Sequence, residues 1–321
     1  MSTNSTPTSN SIPQVEQLEF LTDISPTDKP WDEHRAQAQQ VEGLYQETVY
    51  DRLAVRIRQC SGYLAFGWAT DLENGEARLK LVGARFCRVR HCPVCQWRRS
   101  LMWQARFLRA LPEIEAAWPT ARWIFLTLTV RNCPITDLRS TIRCMNRAFN
   151  RFVQRPEFAG NVIGWIRSTE VSRGRDGSAH PHFHVLMMVR PSYFGNGYVK
   201  QARWAELWRE CARLDYTPIV HVQAIKNRRG SEHPLRRAIA ETLKYSTKPE
   251  DLMDRDWLLE LTSQVYKLKF ISSGGLLKEV LRESEEETDE DLMLFDENGE
   301  PQVDPEIFFA WHRQIQRYVR V

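Results

Sequence analysis

The spacing of apolar residues predicts a central sheet. Residues 123–130 are almost entirely apolar or β-branched and lie between Pro119 and Asn132, which is typical of a strand buried on both faces. Two more strand-like runs follow at 162–171 and 182–189, separated by a turn with two glycines. This pattern predicts that the two runs form a β-hairpin.

Helical periodicity accompanies these strands. Apolar residues recur every three or four positions in 138–152, and similar patterns predict helices over 199–214 and 234–246, with a strand over 218–224. The resulting order is strand, helix, strand, strand, helix, strand, helix. It predicts an α+β fold with a central, mostly antiparallel β-sheet flanked by helices, rather than a doubly wound nucleotide-binding fold.

The region before the sheet has a different pattern. Helical spacing over 32–59 predicts a helix, and two short strands are predicted at 61–67 and 77–86 around a glycine turn. A basic amphipathic helix is predicted over 97–111, and Pro112 is expected to end or kink it. These elements predict a small cysteine-containing subdomain.

The two ends of the chain are more polar. Residues 1–33 are rich in Ser, Thr, Asn and Pro and are predicted to form a disordered tail. Near the other end, 257–268 and 305–319 have the spacing of amphipathic helices, on either side of an acidic run at 283–300. The predicted divisions of the chain are the tail, an N-terminal region 34–118, a central domain 119–250 and a helical C-terminal region 251–321.

Charge is distributed unevenly along the chain. The 321 residues have a formal net charge of only +3, but residues 35–282 carry 40 Lys and Arg against 23 Asp and Glu, a net charge of +17. The acidic counterpart lies in residues 1–34 (−5) and in the acidic run (−10). The central part is therefore expected to bind a polyanion, and the acidic run is expected to compete for the same basic surface.

Composition excludes several classes of protein. No apolar run approaches the ~20 residues needed to cross a bilayer, and the N-terminus has neither the basic nor the apolar region of a signal peptide. Seven cysteines, an odd number, favour a metal site in a reducing compartment over a disulfide framework. We therefore expect a cytoplasmic protein without a membrane partner.

A cluster of histidines offers the first candidate chemistry. On a strand, His182 and His184 project to the same face, because side chains two positions apart lie on one side. Two imidazoles need a third, harder ligand to hold a catalytic divalent ion. Glu170, on the partner strand of the predicted hairpin, is the best placed carboxylate. The alternative is that these histidines are structural residues at the edge of the sheet.

A second group of reactive side chains lies in Glu241-Thr-Leu-Lys-Tyr-Ser-Thr-Lys248. Read as a helix, Glu241 and Tyr245 share a face and Lys248 lies one turn further along, which makes these three the candidate catalytic residues. A lysine or a metal-polarised phosphate would favour the phenolate form of Tyr245 and so make it a nucleophile. Taken alone, the segment would be interpreted as a surface helix with a salt bridge.

The cysteines predict a second, structural metal site. Cys87-x4-Cys92-x2-Cys95 contains a tight Cys-Pro-Val-Cys knuckle, and Cys60 could supply a fourth thiolate. A closed four-thiolate site would hold zinc and stabilise the fold rather than catalyse a reaction. The alternatives are that His91 replaces one cysteine, or that the thiols are buried and free.

Three motifs together resemble a known family. They are Phe125-Leu-Thr-Leu-Thr-Val-Arg-Asn132, His180-Pro-His-Phe-His-Val-Leu186 and Glu241-Thr-Leu-Lys-Tyr245. In this order and spacing they resemble the motifs of plasmid rolling-circle replication initiators of the HUH endonuclease superfamily. The cysteine segment at 86–99 is similar to the one that precedes these motifs in one branch of that family.

The resemblance implies an HUH-type palm and a site-specific nicking and closing endonuclease, a bacterial protein that acts at a plasmid origin. It implies that His182, His184 and Glu170 hold Mg²⁺ or Mn²⁺ while Tyr245 attacks single-stranded DNA. The products would be a 5′-phosphotyrosyl bond and a free 3′-hydroxyl primer. Glu241 matches the glutamate that activates water at termination in this branch.

The expected partners are DNA and the host replication machinery. Two basic clusters flank the motifs, and phosphate contacts from Lys and Arg dominate DNA affinity. The candidate DNA-binding residues are Arg85, Arg88, Arg90, Arg98 and Arg99 near the cysteines, and Lys226, Arg228, Arg229, Arg236 and Arg237 before the tyrosine segment. A helicase and a polymerase would come from the host, because the chain has no phosphate-binding loop of a motor.

Other functions and assemblies stay open at this point. One alternative is a zinc-stabilised, non-catalytic DNA-binding regulator in which the histidine strand is structural. Another is a transposase or conjugative relaxase of the same superfamily, which would use the same chemistry for strand transfer. The oligomeric state, a homodimer included, is also left open by the sequence.

Overall fold

The computed structural model describes residues 18–70, 75, 77–226, 234–244, 246–280, 288–293 and 303–321. Several predicted features lie outside the described residues, namely the first half of the tail, Arg228, Arg229, Tyr245 and most of the acidic run.

The described residues form helices and strands in mixed order. The strands are β1 (Tyr63–Thr70), β2 (Ala77–Ala84), β3 (Arg122–Thr129), β4 (Val162–Arg173), β5 (Ala179–Val189), β6 (Val220–Ile225), β7 (Ile271–Gly275), β8 (Ile307–His312) and β9 (Arg317–Arg320). The helices are α1 (Leu21–Ile24), α2 (Lys29–Tyr45), α3 (Asp51–Arg58), α4 (Pro93–Ala117), α5 (Leu138–Phe152), α6 (Pro156–Ala159), α7 (Gln201–Ala212), α8 (Pro234–Thr242), α9 (Arg255–Gln264), α10 (Leu277–Val280) and α11 (Asp289–Met293).

The central sheet has the strand order β6-β3-β5-β4-β7, and each strand is antiparallel to its neighbour. Helices α5 and α7 cover one face, where Phe149 and Trp204 belong to the same buried cluster as Phe183 of β5. The other face packs against α8 and the core that contains Leu186 and Ile239. The predicted α+β fold, with an antiparallel sheet flanked by helices, is confirmed.

A second antiparallel sheet, with the order β2-β1-β8-β9, lies outside the central one. The two strands predicted at 61–67 and 77–86 are present as β1 and β2, which pair with each other, but the helix predicted over 305–319 is wrong, because this segment forms β8 and β9. Ile307, Phe309 and Trp311 are buried while the residues between them are less so, and β8 pairs with β1. The spacing of apolar residues in this segment fits the period of a helix as well as that of a strand. Pairing with β1, which is distant in sequence, selects the strand.

Residues 18–33, which were predicted to belong to a disordered tail, are folded. Residues from Leu18 onward are described, Leu21 of α1 and Trp31 of α2 are buried, and Phe20 forms a β-bridge with Val319. The prediction of disorder over 18–33 is therefore wrong. The composition of the whole segment is polar, but a few well-spaced apolar residues suffice to attach it to the second sheet.

Several predicted helices have different bounds in the structure. The segment 32–59 forms two helices, α2 and α3, and α4 continues past Pro112, which is exposed on its surface. A proline removes one amide donor, and a helix tolerates this loss where the affected turn faces solvent. Helix α8 ends at Thr242 instead of reaching residue 246. The predicted helix at 257–268 is present over a shorter range, as α9.

Candidate metal centres

The β4–β5 hairpin brings together the ligand residues predicted for the first site. Gly177 adopts a positive φ of 81° in the tight turn, which favours glycine, and the resulting register pairs Glu170 with His182 and Ser168 with His184. Because alternate residues of paired strands share a face, Glu170, His182 and His184 project to the same side of the sheet. We call these three residues the carboxylate–histidine cluster.

The polar atoms of the carboxylate–histidine cluster are close enough to share one ion. Glu170 Oε2 lies 2.9 Å from His184 Nε2 and 3.2 Å from His182 Nε2, and one ligand atom from each residue lies within 4.8 Å of the others. Burial raises the pKa of Glu170, but hydrogen bonds from His182, His184 and Lys244 outweigh burial and hold this pKa well below its usual range. The carboxylate is therefore ionised and able to act as a ligand.

The Nδ1 atom of each of the two imidazoles also lies near a polar partner. His182 Nδ1 lies 3.3 Å from the carbonyl oxygen of His180, and His184 Nδ1 lies 3.4 Å from Thr127 Oγ1. Phe125 stacks on the His184 ring at 5.5 Å. When an ion binds, the hydrogen of each imidazole would stay on Nδ1 and the lone pair of Nε2 would face the ion, as in sites where a ligating imidazole donates its other N–H. Two such nitrogens and a carboxylate oxygen form a donor set that fits a divalent cation.

Lys244 connects this cluster to the end of α8. Its Nζ atom lies 3.0 Å from Glu170 Oε2 and 2.7 Å from Glu241 Oε1. Burial lowers the pKa of Lys244, but the bonds to Glu241 and Glu170 outweigh burial and raise it overall. The sequence analysis did not select Lys244 as a site residue, and the only signal was its position next to Tyr245.

The described residues on either side of Tyr245 are held by α4 and by β4. Ser100 Oγ of α4 donates to the Leu243 carbonyl oxygen at 2.7 Å. The backbone N–H of Val171, the residue after Glu170 in β4, donates to the Ser246 carbonyl oxygen at 2.9 Å. Because α8 ends at Thr242, the prediction that Glu241 and Lys248 lie along one helix is wrong, and Tyr245 lies outside the described residues. Glu241 and Lys248 are exposed, and Lys248 precedes the short 3-10 helix Pro249–Met253.

The four cysteines predicted as a zinc site form a second cluster, which we call the cysteine cluster. The sulfur of Cys60 lies 3.6 Å from that of Cys95 and 3.7 Å from that of Cys92, and Cys87 Sγ lies 3.5 Å from Cys95 Sγ. A tetrahedral zinc ion with Zn–S bonds of about 2.3 Å requires sulfur–sulfur separations of ~3.8 Å. The four buried thiols therefore fit such an ion, and they are too far apart to form disulfides.

His91 does not take part in the cysteine cluster. The metal-binding group formed here contains the four thiols without an imidazole, so the alternative with His91 as a ligand is not what the structure shows. The ring is buried, neither of its nitrogens has a hydrogen-bond partner, and burial lowers the pKa of His91 to about 3. His91 is therefore a neutral, packed side chain.

The predicted DNA-binding residues lie in different environments. Arg98 is buried, donates to the carbonyl oxygens of Leu292 and Met293 at 2.6 and 2.8 Å, and has its pKa lowered to about 9 by burial. Arg98 therefore attaches α11 to α4. The prediction that Arg98 contacts DNA is wrong, because its side chain is buried. Arg88 is exposed but paired with Asp289 at 2.7 Å. The remaining exposed cations among the described candidates are Arg85, Lys226, Arg236 and Arg237.

Comparison with known proteins assigns the chain to a family. The family model described as Replication protein matches residues 78–319, a range that includes both candidate metal centres apart from Cys60. The chain belongs to the Replication protein family. This confirms the resemblance to plasmid replication initiators. In the part of the chain that the structure describes, no helix has the length and apolar character needed to cross a membrane.

Similar replication proteins occur in several bacteria. Protein rep of Lentilactobacillus hilgardii is 32% identical over 313 residues, which cover 93% of this chain and 98% of that protein. Protein rep of Lactiplantibacillus plantarum is 38% identical over 256 residues, 76% of each chain, and Protein rep of Streptococcus pneumoniae is 32% identical over 301 residues, 91% and 92% of the two chains. No solved structure matches the chain.

Proposed function

We propose that this replication protein initiates plasmid rolling-circle replication by nicking one DNA strand at the double-strand origin. The observation that carries the proposal is the convergence of the carboxylate–histidine cluster with the segment that contains Tyr245. Lys244 contacts Glu170, and Ser246 accepts a hydrogen bond from the amide that follows Glu170. The residues on both sides of Tyr245 thus lie beside a donor set that fits a divalent ion, and family membership supports the role in replication.

The carboxylate–histidine cluster would hold Mg²⁺ or Mn²⁺, which polarises the scissile phosphodiester when bound. Tyr245 then supplies the nucleophile. Its hydroxyl group loses a proton to solvent, the phenolate oxygen forms a bond to phosphorus, and the bond from phosphorus to the 3′-oxygen breaks as that oxygen takes up a proton from solvent. The released 3′-hydroxyl can prime a host polymerase. The 5′-phosphotyrosyl bond conserves the energy of the broken ester, which allows the strand to be closed later.

Glu241 and Lys248 are the proposed assisting residues. Glu241 is exposed, so water can reach its carboxylate, and its bond to Lys244 holds it near Glu170. At termination Glu241 accepts a proton from water, the water oxygen bonds to phosphorus at the regenerated origin, and the 3′-oxygen of that strand leaves with a proton. The new 3′-hydroxyl then attacks the phosphotyrosyl phosphorus, which closes the strand, and the Tyr245 oxygen leaves and regains its proton. This hydrolysis ends a cycle without a second covalent adduct. Lys248 is exposed and favours the phenolate form of Tyr245 by its charge.

The cysteine cluster and the basic residues have supporting roles in this proposal. Zn²⁺ in the cysteine cluster fastens the start of α4, which contains Cys95, to the segment before it. The exposed cations Arg85, Lys226, Arg236 and Arg237 contact the phosphates of the origin. Host helicase and polymerase act after the nick, since the proposed chemistry provides only the primer.

The decisive experiment uses the full chain, Mn²⁺ and a supercoiled plasmid that carries its own origin. The wild-type protein should produce nicked circles with protein covalently attached, and Tyr245→Phe should produce neither. Tyr266→Phe is the matched control, because Tyr266 is an exposed tyrosine beyond α9 and should leave nicking unchanged. Equal amounts of nick and adduct with Tyr245→Phe would contradict the proposal.

The same experiment distinguishes the two other functions. A zinc-stabilised, non-catalytic regulator would bind the origin and leave the plasmid supercoiled. A transposase or relaxase would form the tyrosyl adduct but join the cleaved strand to a second DNA molecule. Sequencing of the strand ends therefore separates replication initiation from strand transfer.

A further inference from the structure

A basic cavity lies between α4 and the β4–β7 edge of the central sheet. Its volume is about 430 Å³, and it is lined by α4, by the segment that follows α8 and by the residues around the start of β7. Six of the lining side chains are cationic, namely Arg88, Arg90, Arg99, Arg106, Lys244 and Lys269. Among the described residues that line it, none is Asp or Glu.

Aromatic rings orient two of these arginines. The guanidinium of Arg106 lies over Trp103 at 5.3 Å, and that of Arg90 lies over Phe270 at 4.5 Å, with both rings in the cavity wall. Stacking fixes the plane of a guanidinium, and Arg90 is fixed further because it donates to the Leu268 carbonyl oxygen at 2.6 Å. The concentration of fixed donors is suited to phosphate groups.

The cavity wall includes residues that adjoin the carboxylate–histidine cluster. Lys244 lines the cavity, and its Nζ atom lies 3.0 Å from Glu170 Oε2. Ser168 and Thr169, the two residues before Glu170, also form part of the wall. An anionic strand in the cavity would therefore lead directly to the candidate metal centre.

Helix α11 places carboxylates on two of the cavity arginines. Asp289 pairs with Arg88 at 2.7 Å, and Asp291 pairs with Arg106 at 2.5 Å. The helix is attached through Leu292, which is fully buried, and through Arg98, which donates to the Leu292 carbonyl oxygen. Both ion pairs are partly exposed, and such pairs are individually weak. A competing anion can therefore replace these carboxylates while the Leu292 anchor stays in place.

We propose that the cavity binds the phosphates of a single DNA strand on its way to the carboxylate–histidine cluster, and that α11 is an acidic cap which the strand displaces from Arg88 and Arg106. The inference rests on the proposed function in taking DNA as the anion. A cavity of this size is within the roughly 300–1,000 Å³ of small-ligand sites. It accommodates a single strand and excludes a duplex.

The test measures binding of fluorescent oligothymidylate to the full chain carrying Tyr245→Phe, without added divalent ion. Asp289→Asn should tighten binding by roughly two- to fivefold at low salt, because one competing carboxylate is removed from Arg88. Glu290→Gln is the matched control, since Glu290 is exposed on the same helical turn and makes the same change in net charge. It should have a much smaller effect. Equal effects of the two variants would indicate bulk charge and would overturn the proposal.

Two more measurements locate the strand. Arg99→Gln should weaken oligothymidylate binding and reduce the slope of log K against log salt by about 0.7 for one lost phosphate contact, and an unchanged slope would overturn the proposal. Hydrogen exchange in residues 288–293 should become faster when oligothymidylate is added. Unchanged exchange at saturation would show that the strand binds without displacing α11.

The proposal and the nicking function can fail separately. Neither binding nor hydrogen exchange requires Tyr245 or a divalent ion, so both experiments report on the cavity even if the chain does not nick its origin. Thymidine monophosphate should compete poorly with oligothymidylate. Equal competition at the same phosphate concentration would identify a mononucleotide pocket and overturn the assignment to a strand.

Discussion

The cysteine cluster and the carboxylate–histidine cluster use different donors and have different access to solvent. The cysteine cluster contains four buried thiols whose neighbouring sulfur atoms lie 3.5 to 3.7 Å apart. Four such thiolates would complete the coordination of one ion and leave no position for a substrate. The other cluster has three donors, and its neighbours Lys244 and Glu241 are 30% and 48% exposed. An open coordination position and nearby exposed proton-transfer groups are features of catalytic sites.

The two clusters also differ in how the chain holds them. Cys60 lies between α3 and β1, Cys87 and Cys92 lie between β2 and α4, and Cys95 lies in the first turn of α4, so an ion between them would join three segments that are not neighbouring strands of one sheet. The carboxylate–histidine cluster lies on two neighbouring strands of a sheet that is already hydrogen-bonded along its length. Metal removal is therefore expected to affect folding at the first cluster and chemistry at the second.

The largest expected effect is on stability, from Cys95→Ser. This variant removes one thiolate from a closed site, and structural zinc contributes about 10–16 kcal/mol of apparent binding energy in small metal-dependent domains. We expect loss of bound zinc and a melting temperature lower by more than about 10 °C, or failure to accumulate as folded protein. Thermal melting together with metal analysis measures both. Cys144→Ser, at an exposed cysteine of α5, is the control and should melt like the wild type.

A folded Cys95→Ser protein with unchanged stability would remove the distinction between the two clusters. It would mean that the four thiols pack together as free cysteines, as one of the alternatives from the sequence holds. If the variant has unchanged stability and keeps its zinc with three thiols, the fourth thiol is dispensable for the stability of the fold. The distinction between the two clusters is removed in that case as well.

His182→Ala is expected to act on the reaction and not on the fold. Nicking should fall by at least about 10³-fold, because one of three ligands of the ion that stabilises transition-state charge is lost. Duplex binding and the melting temperature should change little. His312→Ala, at an exposed histidine of β8, is the control for the loss of an imidazole. If binding and nicking decline in parallel, the histidines have the structural role that the sequence analysis left open.

Local sequence relations predicted most of the two clusters. The turn between β4 and β5 is short, so the face shared by Glu170 and His182 follows from alternation along the paired strands. Cys92 and Cys95 lie within one turn at the start of α4, where the spacing of a knuckle is characteristic. In both cases the residues that meet are close in sequence or joined by a tight turn.

Contacts between distant segments could not be predicted in this way. Residues 305–319 have apolar spacing compatible with a helix. They form β8 because they pair with β1, which lies more than 200 residues earlier in the chain. Arg98 has the sequence context of a surface cation, yet Leu292 and Met293 cover it from the far end of the chain. Lys244 was missed for the same reason, because its contact with Glu170 depends on where α8 ends relative to β4.

Lys244→Met tests whether the exposed side of the carboxylate–histidine cluster matters for the reaction. The ammonium group contacts Glu170 and Glu241, and partners of metal ligands typically contribute 10–100-fold to activity. Nicking should therefore slow by about 10–100-fold. Mn²⁺ affinity should not fall, because the lysine and the ion are attracted to the same carboxylate oxygen. Lys278→Met, at an exposed lysine of α10, is the matched control.

A fall in Mn²⁺ affinity with Lys244→Met would instead mean that the lysine only holds Glu170 in place. Titration of Mn²⁺ by electron paramagnetic resonance separates the two results without any measurement of activity. The cysteine cluster should show no response in either case, which can be checked from its zinc content.

The smallest effect is expected from Thr127→Val, which removes the partner of His184 Nδ1. The separation of 3.4 Å is long for a hydrogen bond, so we expect a loss of Mn²⁺ affinity of only about three- to tenfold, at the lower end of the range for such partners. Thr129→Val provides a control on the same strand, because Thr129 lies opposite His182 as Thr127 lies opposite His184, but its hydroxyl donates to the Ile219 carbonyl oxygen. If both valine variants weaken Mn²⁺ binding equally, the effect comes from the strand. If only Thr127→Val weakens Mn²⁺ binding, the hydrogen bond that orients the His184 imidazole contributes to the ion affinity of the carboxylate–histidine cluster. The cysteine cluster has no imidazole ligand to orient.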